Sequence, residues 1–328
     1  MAAYSSKQFI WVSFYLVSLT LYAQERTSPT SQNEELGKVS WYRDYQTALQ
    51  LSKEQNNPIL ILFQEVPGCS TCRNYGKNVL SHPLMVEAIE NLFIPLAIFN
   101  NKGGKDKQVL QRYNEPSWNN PVVRIVNQYG ANIVNRISGD YSNLTLYKAM
   151  VKTLKSENTP IPEYLDLLGL ELTSEQQGVI KEKYFQMYCF WSGEKHFGAK
   201  EGILSTEAGF INGREVVKVK YDETQVSERQ LTAFAKSARC TPINEQNDYR
   251  LAKNDVKYYL RHTNYKYLPL TELQKIKVNS AIGNGQSAER YLSPKQLTWL
   301  TQINQNYVKS KILYDNDFSI AWNMMANN

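Results

Sequence analysis

Between residues 41 and 63 the spacing of apolar positions changes abruptly. Tyr45, Ala48, Leu49 and Leu51 recur at helical intervals, whereas Ile59, Leu60, Ile61, Leu62 and Phe63 follow one another without a break. The first pattern predicts an amphipathic helix after Trp41, stopped at Asn56-Asn57-Pro58. The second predicts a strand covered on both faces. A turn at Val66-Pro67-Gly68 leads into Cys69-Ser70-Thr71-Cys72, a helix is expected over about residues 82–92, and a strand over 93–99. Residues 122–126 and 132–137 predict a hairpin around Tyr129-Gly130, and a helix over about 144–154 closes this unit. Residues 156–162 hold two prolines and no apolar periodicity beyond one Ile, which places a domain boundary there. Beyond it the pattern predicts a helix ending near Lys183, a strand over 184–188, a helix after Cys189, an apolar segment over 202–210, a strand over 215–221 and a helix over 225–238. After residue 242 the chain becomes polar and Tyr-rich, with one periodic segment, 270–282, anchored by Leu273, Ile276 and Val278.

The ends and the composition narrow the setting. Lys7 is the only charge before an apolar stretch at residues 9–21, and Ala23 offers a small residue for cleavage. That order predicts a signal peptide over residues 1–23 and an exported, periplasmic or secreted, mature chain; the stretch is short for a membrane span. Residues 24–38, rich in Ser, Thr, Gln, Asn and Glu, read as a flexible leader. The net charge of the 328-residue chain is +6, but basic and acidic residues are interspersed beyond the N-terminal apolar stretch. No basic arm is present, so no nucleic-acid partner is expected. The 22 tyrosines, among them Tyr258, Tyr259, Tyr265 and Tyr267, are expected to pack and hydrogen-bond rather than stack on bases.

The chemistry is concentrated in four cysteines, Cys69, Cys72, Cys189 and Cys240. Two structural disulfides are one use of four thiols in an oxidising compartment. Cys69 and Cys72, however, stand as C-x-x-C between a buried strand and a helix. A helix N-terminus stabilises a thiolate, so Cys69 is the expected attacking sulfur and Cys72 the resolving one. Zinc sites share the spacing but need two further ligands, and only His82 is near in sequence; no metal or other cofactor is expected. Cys189 precedes two aromatic residues at a strand-to-helix turn. Reducing a sulfoxide takes a sulfur nucleophile, an apolar slot for the methyl group and an acid for the leaving oxygen. Cys189 can supply the first, and Phe190 with Trp191 the second. Glu215, opening the next apolar strand, is the candidate acid, its proton retained by burial beside the aromatic rings. Glu194 is read as a structural residue at the helix start.

These residues carry two resemblances. Residues 39–157 resemble the thioredoxin superfamily: a buried strand before Cys69, a helix after it, and Pro121 immediately before a strand. The resemblance implies a cis-proline at Asn120-Pro121 that helps present the partner chain. Pro67-Gly68 departs from the aromatic residue many members carry before the motif. Residues 163–242 look like peptide methionine sulfoxide reductase A, on Cys189-Phe190-Trp191-Ser192-Gly193-Glu194, on residues 202–210 and on residues 215–222 with the helix that follows. That resemblance implies that Cys189 attacks the sulfoxide, Phe190 and Trp191 cradle the methyl group, and Glu215 protonates the oxygen. Tyr188 stands where the family has Gly. The family's long loop with an oxygen-binding Tyr is reduced to residues 211–214, and Cys240 occupies the position of an active-site Asp. Its Gly-rich tail with recycling cysteines has no counterpart.

The expected architecture is therefore α/β: a thioredoxin-like domain, then an α+β methionine sulfoxide reductase A-like domain, then a partly helical extension over residues 243–328. The expected function is reduction of methionine sulfoxide in exported peptides or proteins. Cys240 would condense with oxidised Cys189, and Cys69-Cys72 would reopen the bridge, recharged by a membrane-borne or exported thiol donor. The rivals are a thiol-disulfide oxidoreductase whose second domain binds clients, and a non-catalytic interaction module.

Overall fold

A computed structural model describes residues 26–244, 248–306 and 311–327. The expected signal peptide lies outside the described residues. Residues 26–38, expected as a flexible leader, are packed instead. A 3-10 turn at Glu34–Leu36 buries Glu35 and Leu36, because the only large apolar side chain in this polar stretch finds a slot in the first core.

Helix α1 (Tyr45–Gln55) starts at Asp44, whose carboxylate accepts from the Thr47 N–H, and ends at Asn56 in the left-handed region. Strand β1 (Ile59–Gln64) is buried at every position. Helix α2 (Ser70–Asn78) follows the C-x-x-C turn, and α3 (Pro83–Leu92) begins with proline at its first position. Strand β2 (Ile94–Phe99) pairs parallel to β1, and β3 (Val122–Val126) pairs antiparallel on its other side. Helix α4 (Gly104–Tyr113), with no expected counterpart, lies between them in sequence. The expected second strand of the hairpin is reduced to two isolated bridges, Val123 with Ile137 and Val126 with Asn132. Helix α5 (Asn143–Ser156), capped by the Ser142 hydroxyl, closes the unit.

The unbroken apolar run is sandwiched as its pattern implied. Ile59, Ile61 and Phe63 face Ala48, Leu51, Val109 and Leu110 of α1 and α4. Leu60 and Leu62 face the other way, into a core with Leu84, Ala88 and Met150 of α3 and α5.

Helix α6 (Glu163–Gln177) ends earlier than expected, and β4 (Ile180–Gln186) begins before residue 184. Then come α7 (Phe190–Ala199), β5 (Ile203–Ile211), β6 (Arg214–Asp222) and α8 (Glu228–Ser237). The sheet does not end with the expected domain at residue 242. Strands β7 (Thr241–Ile243) and β8 (Arg250–Leu251) complete a five-stranded sheet in the order β7-β4-β6-β5-β8. One face carries Phe185, Val217 and Val219 against α7 and α8.

The region expected as an extension is built into both halves. Helices α9 (Tyr258–Arg261), α10 (Glu272–Gly283), α11 (Pro294–Asn304) and α12 (Phe318–Ala326) follow β8. Helix α10 puts Leu273 and Ile276 into the second core and Val278 and Ala281 into the first. Helix α6 divides in the same way, Leu167 going to one and Leu168 to the other. Both helices are thus apolar over more than one face, and they tie the two domains together.

Candidate active sites

The first thiol pair sits at the mouth of α2. Cys69 is the residue capping that helix and is exposed; Cys72, one turn inside, is buried, and both are free thiols. The two sulfurs are 3.5 Å apart, and the Cys69 thiol is 3.5 Å from Oδ1 of Asn120. A hydrogen bond from the Cys72 backbone N–H holds the Cys69 thiol below the ordinary range, against the opposing effect of burial. Burial pushes Cys72 up to about 12, with its hydrogen bond to Cys69 and the charge there adding to the rise. This asymmetry suits one attacking and one resolving sulfur. Cys69 is therefore expected to be alkylated by iodoacetamide with its half-maximal rate at a lower pH than an ordinary thiol. Cys72 stays unlabelled over the same pH range. Peptide mapping after alkylation from pH 5 to 10 checks both; equal labelling of the two would count against the asymmetry.

Two features shape this turn that sequence reasoning missed or left open. Glu35, from the stretch expected as a leader, accepts a 2.7 Å hydrogen bond from the Gly68 N–H. A side chain at residue 68 would meet the Glu65 carbonyl oxygen at 2.4 Å and the Cys72 sulfur at 3.0 Å, which is why glycine stands where an aromatic residue is common. The expectation for proline is corrected as well. Among the described residues the cis bond is Val66-Pro67, and Asn120-Pro121 is trans. Pro121 is buried at the start of β3, beside Asn120; proline immediately before a strand marks the place in the chain but not the isomer.

The second site is assembled where β4 runs into α7. Cys189 caps α7 in extended conformation, with no side-chain capping bond of its own. The sheet register then brings Glu215 to it. Gln186 pairs with Val216, and the Met187 N–H donates to the Glu215 carbonyl at 3.2 Å. The Glu215 carboxylate accepts the Phe190 N–H at 2.8 Å, meeting one of the unpaired donors of the helix start. The carboxyl and the thiol thus share the N-terminal turn of α7. Glu215 is half-buried rather than enclosed.

The two aromatic residues part company. Phe190 is 5% exposed and packs edge-on against Phe210 at 5.4 Å, so it belongs to the core. Trp191 is half-buried; its Nε1–H donates to Asp255 at 3.2 Å, and its ring stacks on Tyr258 at 3.9 Å. Beside it, burial raises the Tyr259 hydroxyl, and the neighbouring Cys189 sulfur adds to the rise while Ser192 opposes it. Asp255, Tyr258 and Tyr259 all come from the stretch expected as an extension. Their only sequence signal was a Tyr-Tyr pair in a region without periodicity. The short turn before Glu215 is a hairpin with Asn212 and Gly213 both at positive φ, the pairing that a two-residue connection demands.

Cys240 is 4% exposed and free, and burial pushes its thiol up to about 11. Arg239, in the left-handed region, turns the chain from α8 into β7. Strand β7 pairs with β4 through Gln186 and Thr241, so Cys240 lies one strand over and close to the level of Met187, two residues before Cys189. Cys240 and Phe185 line the same core. Glu194, expected to be structural, is completely buried. Among the described residues no group of three or more His, Cys, Asp or Glu side chains is placed to hold a metal. A cleft of about 1130 Å³, lined by residues such as His82, Glu207, Lys253 and Glu272, includes neither thiol site.

Comparison with known proteins gives matches of two kinds. A family model described as thioredoxin-like matches residues 40–128. The thioredoxin-related protein DsbJ of Chlamydia pneumoniae is 31% identical over 90 residues, 27% of this chain and 25% of that protein. The peptide methionine sulfoxide reductase MsrA of Salinispora tropica is 30% identical over 90 residues, 22% of this chain and 41% of that protein. MsrA of Mycoplasma genitalium is 33% identical over 69 residues, 16% of this chain and 44% of that protein. The chain spans between a quarter and about half the length of the relatives it matches. Both kinds of match point to thiol-dependent redox chemistry.

Proposed function

We propose that this chain, a thioredoxin-like domain joined to a methionine sulfoxide reductase A-like one, is an oxidoreductase that reduces methionine sulfoxide in exported peptides or proteins. The observation that carries the reading is the Glu215 carboxylate on the Phe190 N–H, which puts an acid at the turn that presents the Cys189 sulfur. In the first step the Cys189 thiolate attacks the sulfoxide sulfur while Glu215 gives its proton to the oxygen. The new S–S bond and the substrate S–O bond then break as the hydroxyl passes to the Cys189 sulfur, releasing methionine and leaving a sulfenic acid on Cys189, so the substrate sulfur is reduced by two electrons and Cys189 oxidised by two. Trp191 offers the apolar wall for the methyl group, with Phe190 behind it.

Regeneration follows from the other thiols. The Cys240 thiol condenses with the sulfenic acid, releasing water and leaving a Cys189–Cys240 disulfide. Cys69 then attacks that disulfide and Cys72 resolves the mixed intermediate, so the oxidising equivalent ends as a Cys69–Cys72 disulfide. A dithiol donor outside the cytoplasm, membrane-borne or exported, returns it to the reduced state. The presentation of a partner at Cys69 would involve Asn120 and Pro121.

The test is the purified chain with dithiothreitol and a methionine sulfoxide peptide, methionine being measured by chromatography. Glu215→Gln keeps the acceptor for the Phe190 N–H but carries no acidic proton. It is expected to lower kcat by about 10²- to 10⁴-fold. A variant as active as the parent at all pH values would remove the acid from this account.

A further inference from the structure

Three buried polar groups next to the Cys189 site have no part in the chemistry described so far. Lys257 is 4% exposed and adopts φ +54°, a conformation that residues other than glycine adopt rarely. Its backbone N–H donates to Glu194 at 2.6 Å. Its ammonium donates to the Thr206 carbonyl at 2.9 Å and pairs with Glu272 at 2.8 Å. Glu194 is wholly buried on α7, one turn after Trp191, and its other oxygen accepts from the Thr206 hydroxyl at 3.3 Å. Lys257 is thus bonded to α7, β5 and α10 at once, and the next two residues are Tyr258 and Tyr259.

Those two rings are the part of the C-terminal region that packs beside the first turn of α7. Tyr258 stacks on Trp191 at 3.9 Å and 21°, and Tyr259 crosses Tyr258 nearly at a right angle, 5.6 Å away. Tyr259 fits into a notch left by Gly283, where a methyl group would lie 2.7 Å from its ring. A buried carboxyl whose oxygens are met by the Lys257 N–H and the Thr206 hydroxyl can fix one arrangement over others, since each buried polar partner is costly to leave unpaired.

We propose that Glu194 and Lys257 are positioning residues, a buried clamp that holds the Tyr258-Tyr259 turn against Trp191 at the start of α7, so that a hydroxyl from the C-terminal region completes the sulfoxide site. The catalytic part of this inference rests on the proposed reaction; the clamp itself does not. Glu194 acts through Tyr259 and not on the substrate. Its removal therefore costs activity only while the Tyr259 hydroxyl is present.

The experiment compares Glu194→Ala, Glu194→Gln, Lys257→Met, Tyr259→Phe and the double variant Glu194→Ala with Tyr259→Phe, all in the full chain. With dithiothreitol and a methionine sulfoxide peptide, Glu194→Ala and Tyr259→Phe should each lower kcat about tenfold with KM within about twofold. The double variant should lie within about twofold of Tyr259→Phe alone. Glu194→Gln, which still accepts the Lys257 N–H, should recover most of the loss. A further tenfold loss in the double variant would overturn the assignment. Acrylamide quenching of the Trp191 fluorescence, isolated by difference from Trp191→Phe, reads the clamp without turnover. It should increase in Glu194→Ala and Lys257→Met and return towards the parent value in Glu194→Gln; unchanged quenching in both of the first two overturns the clamp. Raised quenching in Glu194→Ala and Lys257→Met, with a parent chain that makes no methionine, keeps the clamp and rejects the proposed reaction.

Discussion

Cys189→Ser is expected to lose methionine formation with dithiothreitol by about a thousandfold or more, while keeping its ability to reduce a protein disulfide. The serine hydroxyl fills the same place at the start of α7, so the capping position and the Glu215 contact with Phe190 survive. What disappears is the thiol that caps that turn. A hydroxyl there is neither ionised near neutral pH nor able to form a reducible sulfenic acid. The second activity is the control: Cys69 caps α2 and Cys72 lies within it, in the other domain, and insulin reduction driven by dithiothreitol should stay within about twofold of the parent. Loss of both activities together would mean that the substitution unfolded the chain; loss of neither would place the sulfoxide chemistry elsewhere.

Cys69→Ser is expected to behave in the opposite way. With dithiothreitol, a small dithiol that reaches the second site directly, methionine formation should stay within about twofold of the parent. With a protein dithiol as the only reductant it should fall about a hundredfold or more. Cys72 cannot replace Cys69, because it is buried and its thiol is pushed up to about 12, leaving almost no thiolate near neutral pH. A Cys69→Ser chain that was inactive with dithiothreitol would show that the two thiol sites do not divide the work in this way.

The first domain was legible because its signals are local. Five consecutive apolar residues have one good solution, a strand with helices on both sides, and Ile59 to Phe63 alternate between two cores accordingly. The C-x-x-C motif marked a helix start for the same reason. At Pro121 a sequence can show that a proline precedes a strand, but the isomer is set by tertiary packing, and here the cis bond is at Pro67. Glu35 was hidden because its surroundings are polar and only a single leucine, Leu36, anchors the segment to the core.

The second domain was legible as far as its sheet register could be inferred. Cys189 and Glu215 are 26 residues apart in the chain, yet an antiparallel pair joined by a tight Asn-Gly turn returns the start of β6 to the end of β4 through β5. The roles given to Phe190 and Trp191 looked alike in the sequence and differ in the structure, since only position on the helix decides which ring enters the core. The largest omission was the stretch from residue 249 to 261. Its elements are a two-residue strand and a four-residue helix, too short for any periodicity to show. They are held by buried bonds between residues 51 and 63 apart in sequence, such as Lys257 to Thr206 and to Glu194.

The central claim is that a sulfoxide oxygen is removed by Cys189 and that the oxidising equivalent then passes through Cys240. A single-turnover reaction tests it: the fully reduced chain, free of added thiol, is mixed with one equivalent of a methionine sulfoxide peptide, quenched with an alkylating agent, and mapped by mass spectrometry. One equivalent of methionine should form, and a peptide pair linked Cys189–Cys240 should appear before any Cys69–Cys72 disulfide. No methionine, or oxidation confined to Cys69 and Cys72 from the earliest times, would contradict it.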